Sequence, residues 1–177
     1  WIREHRADIL AMYGNYARMS RQTWPTEPLL WMLEPSLSNY ANPTQSQPLT
    51  FAELGSLVED IVCVIKANMP NAWVALHYAS WLRNPELTDY IAAMPMDHLD
   101  LVWTSGKADV AGGYINDGDA FGRVDGTYAY AHELTKKFIV VDTGFGHAAG
   151  ADTWTTASPA TLEQRARDGV IAVNVTT

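Results

Sequence analysis

The chain has 177 residues, 47% of them hydrophobic and 18% charged, which suits one ordinary globular domain and shows no sign of disorder. Its net charge is −8 and no run of lysine or arginine appears, so nucleic acid and anionic membranes are excluded as expected partners. Seven tryptophans and eight tyrosines exceed what a core of this size needs, and some of those rings are expected in an open groove.

Residues 1 to about 22 place Ile2, Ile9, Leu10, Tyr13, Tyr16 and Ala17 on one face of an amphipathic helix, with Arg3, Glu4, Arg6 and Arg18 on its wet side. Pro25 and Pro28 end it. The apolar run 29–34 then reads as a strand buried on both faces, closed by Glu34 and cut off by Pro35. With a period of two, Leu30, Met32 and Glu34 share one face. Residues 36–50 form a long polar loop carrying Tyr40, and loops of that length in compact domains are usually functional.

Thr50-Phe51-Ala52-Glu53 is a capping box, and Leu54, Val58, Ile61, Val62 and Ile65 follow at helical spacing as far as Met69-Pro70. Cys63, the one cysteine, is expected there as a small buried hydrophobe, and it excludes an internal disulfide and a cysteine-based zinc cluster. Residues 71–77 give a second strand ending at His77, with Trp81 just beyond. Pro85 at a first helical position opens a helix to about Met94, and residues 98–103 give a third strand ending at Trp103.

A glycine- and aspartate-rich loop spans 104–126. A helix over 127–135, a strand over 137–142 ending at Asp142, a helix over 158–169 and a strand over 170–174 ending at Asn174 complete the chain. Asn116, Asp117 and Asp119 lack the twelve-residue spacing and closing glutamate of a calcium loop. His132, Glu133 and His147 make no zinc motif, and serine-nucleophile signatures are absent. No metal or other cofactor is therefore expected.

The whole is a single α/β domain in which strands alternate with helices, so the strands are expected to be parallel and joined by right-handed crossovers. Five such strands fit an open doubly wound sheet or the C-terminal five strands of a TIM (β/α)8 barrel. The barrel is preferred because the chain opens on a helix with no strand before it and lacks a glycine-rich phosphate loop. On that reading three strands lie upstream of Trp1, and the missing N-terminal part of the barrel is itself a partner.

Numbered as a barrel, the strand ending at Glu34 is the fourth and that ending at Asp142 the seventh. This order resembles the large clan of barrel glycosidases that place an acid/base after strand four and a nucleophile after strand seven. It departs from that clan at Leu33, where Asn is common, and at Asp142, where Glu is common. The run Leu33-Glu34-Pro35-Ser36-Leu37 is similar to a Glu-Pro stretch of family 6 cellulases. Segments such as LDLVWTSG and GVIAVN look like secreted microbial polysaccharide-active proteins.

The resemblance implies hydrolysis of a polysaccharide by Glu34 as general acid and Asp142 as nucleophile or general base. It implies binding of the glycan by Tyr40, His77, Trp81, Trp103 and Asn174, and an extracellular setting reached by a signal peptide outside the given chain. A non-catalytic carbohydrate-binding barrel and a polysaccharide lyase, with His77 or a tyrosine as base, are the alternatives.

Overall fold

The computed structural model describes residues 1–105, 124–144 and 154–174. Along the chain run α1 (Ile2–Thr23), β1 (Leu30–Met32), a 3-10 turn (Leu37–Ala41), α2 (Phe51–Asn68), β2 (Trp73–His77), α3 (Glu86–Ala93) and β3 (Leu101–Ser105). A short 3-10 turn (Val124–Gly126), α4 (Tyr128–Thr135), β4 (Ile139–Asp142), α5 (Pro159–Arg167) and β5 (Val170–Asn174) follow. The five strands form one sheet in the order β1-β2-β3-β4-β5, every neighbouring pair parallel.

That order decides between the two expected architectures. A doubly wound sheet reverses its strand order at a switch point, and this one does not. Right-handed crossovers that always step the same way put every helix on one face, and the sheet curls into a half-barrel with its bare face inside. The packing agrees. Val74, Leu76, Val102, Ile139, Val141 and Val170 point into one large core with the helices. Ala75, Leu101, Trp103 and Val140, with Met32 against them, make a separate small cluster on the concave face.

Helix α2 is the centre of the outer layer, with Leu54, Gly55, Leu57, Val58, Ile61, Val62 and Ile65 buried. Its capping box forms as expected: Glu53 N–H donates to Thr50 Oγ1 at 3.1 Å, and Thr50 N–H donates to Glu53 Oε2 at 2.8 Å. Arg3 adds a bond of 2.7 Å to Glu53 Oε1, which holds that exposed carboxyl down at about 2, first through the Arg3 bond and then through the Thr50 N–H. Arg6 binds Asp60, so Arg3 and Arg6 clasp α2 instead of standing free on a wet side, while Arg18 bonds Asn15 on the exposed face of α1 itself. The helices meet through Gly14 and Ala17, both buried; a Cβ at Gly14 would stand 3.0 Å from Val64 Cγ1.

Several local expectations are corrected. Tyr16 is 54% exposed, outside the buried stripe of α1. Cys63 is exposed on the solvent side of α2, not buried. Pro85 caps α3 from outside, one residue before its first helical position. The third strand begins at Leu101, because Met96, Asp97 and His98 form a turn, and it continues through Trp103 to Ser105. Asp100 closes the lower end of that strand: its carboxylate accepts from Val74 N–H and from Lys66 Nζ, each at 2.8 Å. Gly169 has φ 98°, the left-handed value that favours glycine, at the turn from α5 into β5.

Gly55 supplies a test of this layer. Exchanging glycine for alanine inside a helix ordinarily gains about 1 kcal/mol, but a Cβ here would collide with the backbone carbonyl of Ala93 at the end of α3. Gly55→Ala should therefore destabilise the fold, by about 1–3 kcal/mol as for other overpacked cores. Urea unfolding measures it, and a gain in stability would contradict the α2–α3 contact.

Candidate functional site at the C-terminal edge of the sheet

In parallel α/β sheets the carboxyl ends of the strands are where chemistry gathers. Here that edge carries Glu34 after β1, His77 ending β2, Ser105 ending β3, Asp142 ending β4 and Asn174 ending β5.

Regular pairing of β1 stops at Met32, although Leu33 N–H still donates to the Ala75 carbonyl at 2.9 Å. Pro35 then turns the chain into the 3-10 segment, which returns Tyr40 to Glu34. The Tyr40 hydroxyl donates to Glu34 Oε1 at 2.7 Å. That bond pushes the Tyr40 phenol up to about 12, with burial and the Glu34 charge adding to it. Tyr13 on α1 is also raised, by burial first and then by the charge of Glu34.

Glu34 thus borders a mostly apolar cavity of about 210 Å³ between α1, α2 and the turn, walled by Ile9, Tyr13, Leu33, Tyr40 and Ile61. Period-two alternation had grouped Glu34 with Leu30 and Met32. The alternation carries through Leu33, which packs in the helix-side core, and ends at Glu34, where Pro35 turns the backbone out of the sheet.

On the concave face, His77 and Trp103 form a buried pair, 2% and 3% exposed, with ring centroids 4.4 Å apart. Trp81 closes the other side of His77 at 5.0 Å and is itself partly exposed. The Trp103 indole N–H donates to the Leu33 carbonyl at 3.0 Å, reaching across β2 to the end of β1. The expected exposure of Trp103 is therefore not what the structure has: the ring lies mid-strand, inside the sheet's concavity. Trp81 and Tyr40 are the partly exposed rings near this edge.

Asp142 Oδ1 accepts from Gly144 N–H at 2.8 Å and lies 3.5 Å from Asn174 Nδ2, its partner in register on β5. Glu34 and Asp142 share the edge but no hydrogen bond. Three strand steps separate them, roughly 14 Å along the sheet at the usual strand spacing. In register, His77, Trp103 and Val140 are level, so Asp142 stands two residues higher than that row.

Two features of the edge escaped the sequence reading. Ser105 ends β3 directly beside Asp142 in register, buried at 3%; a correct strand boundary would have found it. Asp125 ties two loops together, accepting from Asn84 N–H at 3.1 Å through Oδ2 while its backbone carbonyl accepts from the Tyr78 hydroxyl at 2.9 Å. No local signal marks it. Among the described residues no group of three or more His, Cys, Asp or Glu is placed to hold a metal ion. Asn116, Asp117, Asp119 and His147 lie outside the described residues.

Burial holds the His77 imidazole down at about 3, so it is neutral in the fold while a free histidine protonates near 6.5. Between those values the unfolded chain binds the extra proton. Stability contributed by neutral His77 is thus full above about pH 6.5 and falls toward pH 3, by up to about 1.4 kcal/mol per pH unit. His77→Phe should flatten that part of the profile in urea unfolding followed from pH 7 to pH 4; an unchanged slope would contradict a buried neutral imidazole.

No family model and no curated protein sequence matches this chain, so the chemistry of this edge is read from its own residues.

Proposed function

We propose that the chain is a glycoside hydrolase-like protein that cleaves a polysaccharide outside the cell, with Glu34 and Asp142 as its two carboxylates. The observation that supports this most is the unreversed parallel order of the curled sheet, which brings the carboxyl ends of the strands before Glu34 and Asp142 to one edge. Glu34 protonates the leaving glycosidic oxygen, and Asp142 attacks the anomeric carbon or activates a water. Tyr40 holds the Glu34 carboxylate between turns of the reaction and must release that oxygen for proton donation. Trp81 and Tyr40 offer partly exposed rings to a pyranose face, and Asn174 offers an amide to a hydroxyl.

A second reading, glycan binding without cleavage, is favoured by a specific observation: the two carboxylates keep separate hydrogen-bond partners, Tyr40 for one and Gly144 with Asn174 for the other. A polysaccharide lyase remains the third.

One panel separates all three. Cellulose, xylan, mannan, chitin and pectate are incubated with the protein, and new reducing ends, ultraviolet absorbance of unsaturated rings and bound protein are measured. Hydrolysis predicts reducing ends without the absorbance, and Glu34→Gln and Asp142→Asn should each lower turnover by about 10²–10⁴-fold, the usual contribution of a positioned acid or base, with glycan binding nearly kept. Absorbing products identify a lyase, and retention without products identifies a binder. Full turnover in Glu34→Gln removes Glu34 from the mechanism.

A further inference from the structure

Glu34 brings only one of its two oxygens into the hydrogen-bond network. Tyr40 donates to Oε1 at 2.7 Å, and Oε2 meets no donor or cation among the described residues. The arginines at the start of α1 are engaged elsewhere, Arg3 with Glu53 and Arg6 with Asp60.

The cavity of about 210 Å³ beside this carboxylate is mostly apolar. Leu33, Leu37, Val58 and Ile61, all buried, form its inner side, and Met12 and Glu34, both exposed, border it, so it reaches solvent. It lies among α1, α2 and the turn after β1, which pack on one another. No residue of the sheet's two outermost strands, β1 and β5, lines it.

Size and chemistry together define what fits. A dry apolar cavity of about 150 Å³ takes a benzene ring, so this one holds a ring and a short arm. Glu34 Oε2 is one acceptor on its wall. The Tyr13 hydroxyl, which makes no hydrogen bond among the described residues, offers its oxygen as a second. Burial first, and then the Glu34 charge, raise that phenol, so the negative field reaches α1. A primary ammonium carries three N–H donors, enough for both oxygens and a water.

We propose that this cavity binds a small aromatic amine in its protonated form, the ring against Leu33, Val58 and Ile61 and the ammonium between Glu34 Oε2 and the Tyr13 hydroxyl. An apolar pocket with a few convergent polar groups is the usual form of a small-molecule site. A carboxylate beside apolar walls is hydrated on one side only, and a cation seated in the cavity supplies what water does not. The net charge of −8 adds a long-range preference for cations. The proposal goes beyond the glycosidase reading and does not rest on Glu34 acting as an acid, and its test reads binding alone.

Methyl NMR titration of the 177-residue chain at pH 7 with benzylammonium, benzyl alcohol and benzoate tests this, one ring carrying three different charges. Benzylammonium is expected to bind most tightly, with benzyl alcohol about 10–100-fold weaker, the range of a charge-assisted hydrogen bond. Benzoate should not bind. Nuclear Overhauser contacts should run from the benzyl ring to the methyls of Leu33, Val58 and Ile61, and added salt should weaken benzylammonium more than benzyl alcohol.

In Glu34→Gln the two ligands should bind equally, with the same ring contacts, and Ile9→Trp, which fills the cavity from α1, should lose both. Equal binding of benzylammonium and benzyl alcohol to the wild type overturns the proposal. So does a preference for the amine that survives Glu34→Gln. A wild type that binds none of the three overturns it too and leaves the cavity to protein side chains. If Ile9→Trp fails to fold, the ring contacts in the wild type decide the location, and their absence overturns it.

Discussion

Helix α2 lies between α1 and α3 with seven of its eighteen residues buried, and its side chains cover the strands on either side of the first crossover. Close approach is what makes this wedge possible. Gly55 lets the end of α3 come down onto α2, and Gly14 lets α1 do the same from the other flank. Polar clasps then fix the rotation of α1 about its own axis: Arg3 on Glu53 and Arg6 on Asp60. With α1 fixed, Tyr13 is fixed too, and the environment of Glu34 follows from it. The site at the strand ends therefore depends on helix packing more than on the strand that carries Glu34.

Direction and sequence of strand steps define the rest. Parallel strands taken in chain order leave no switch-point crevice of the kind a doubly wound sheet uses for a ligand. What they leave is a rim, on which chemistry-bearing residues come from every strand. The concave face below it is thinly furnished: Ala75, Leu101, Trp103 and Val140 are its buried apolar members, with His77 beside Trp103. Trp103 supplies most of the bulk, which accounts for its burial.

The fold was legible because its signals are local. Thr50 and Glu53 announce the start of α2 within four residues, and apolar runs alternating with helical spacing announce parallel crossovers. The site was less legible, since its geometry depends on where elements stop. The strand expected over residues 98–103 begins three residues later, at Leu101, and runs two residues further, to Ser105, so Trp103 was misplaced at the strand end and Ser105 concealed. Glu34 continues the alternation on paper, yet Pro35 bends the backbone out of the sheet, and Tyr40 and Tyr13 set where the carboxylate goes. Cys63 fits an apolar helix by type, but the angular position of residue 63 on α2 turns it outward. Tyr16 likewise falls beyond the arc that α2 covers.

The bond from the Trp103 indole to the Leu33 carbonyl ends on backbone, not on a side chain. Position 33 is free to vary in hydrogen-bonding terms, because any residue there presents the same oxygen. Position 103 has no such latitude, since phenylalanine would keep the ring and lose the donor. In a lineage of related sequences the constraint should be written at 103 alone, and a comparison restricted to the residues around Glu34 would miss that the end of β1 is anchored from two strands away.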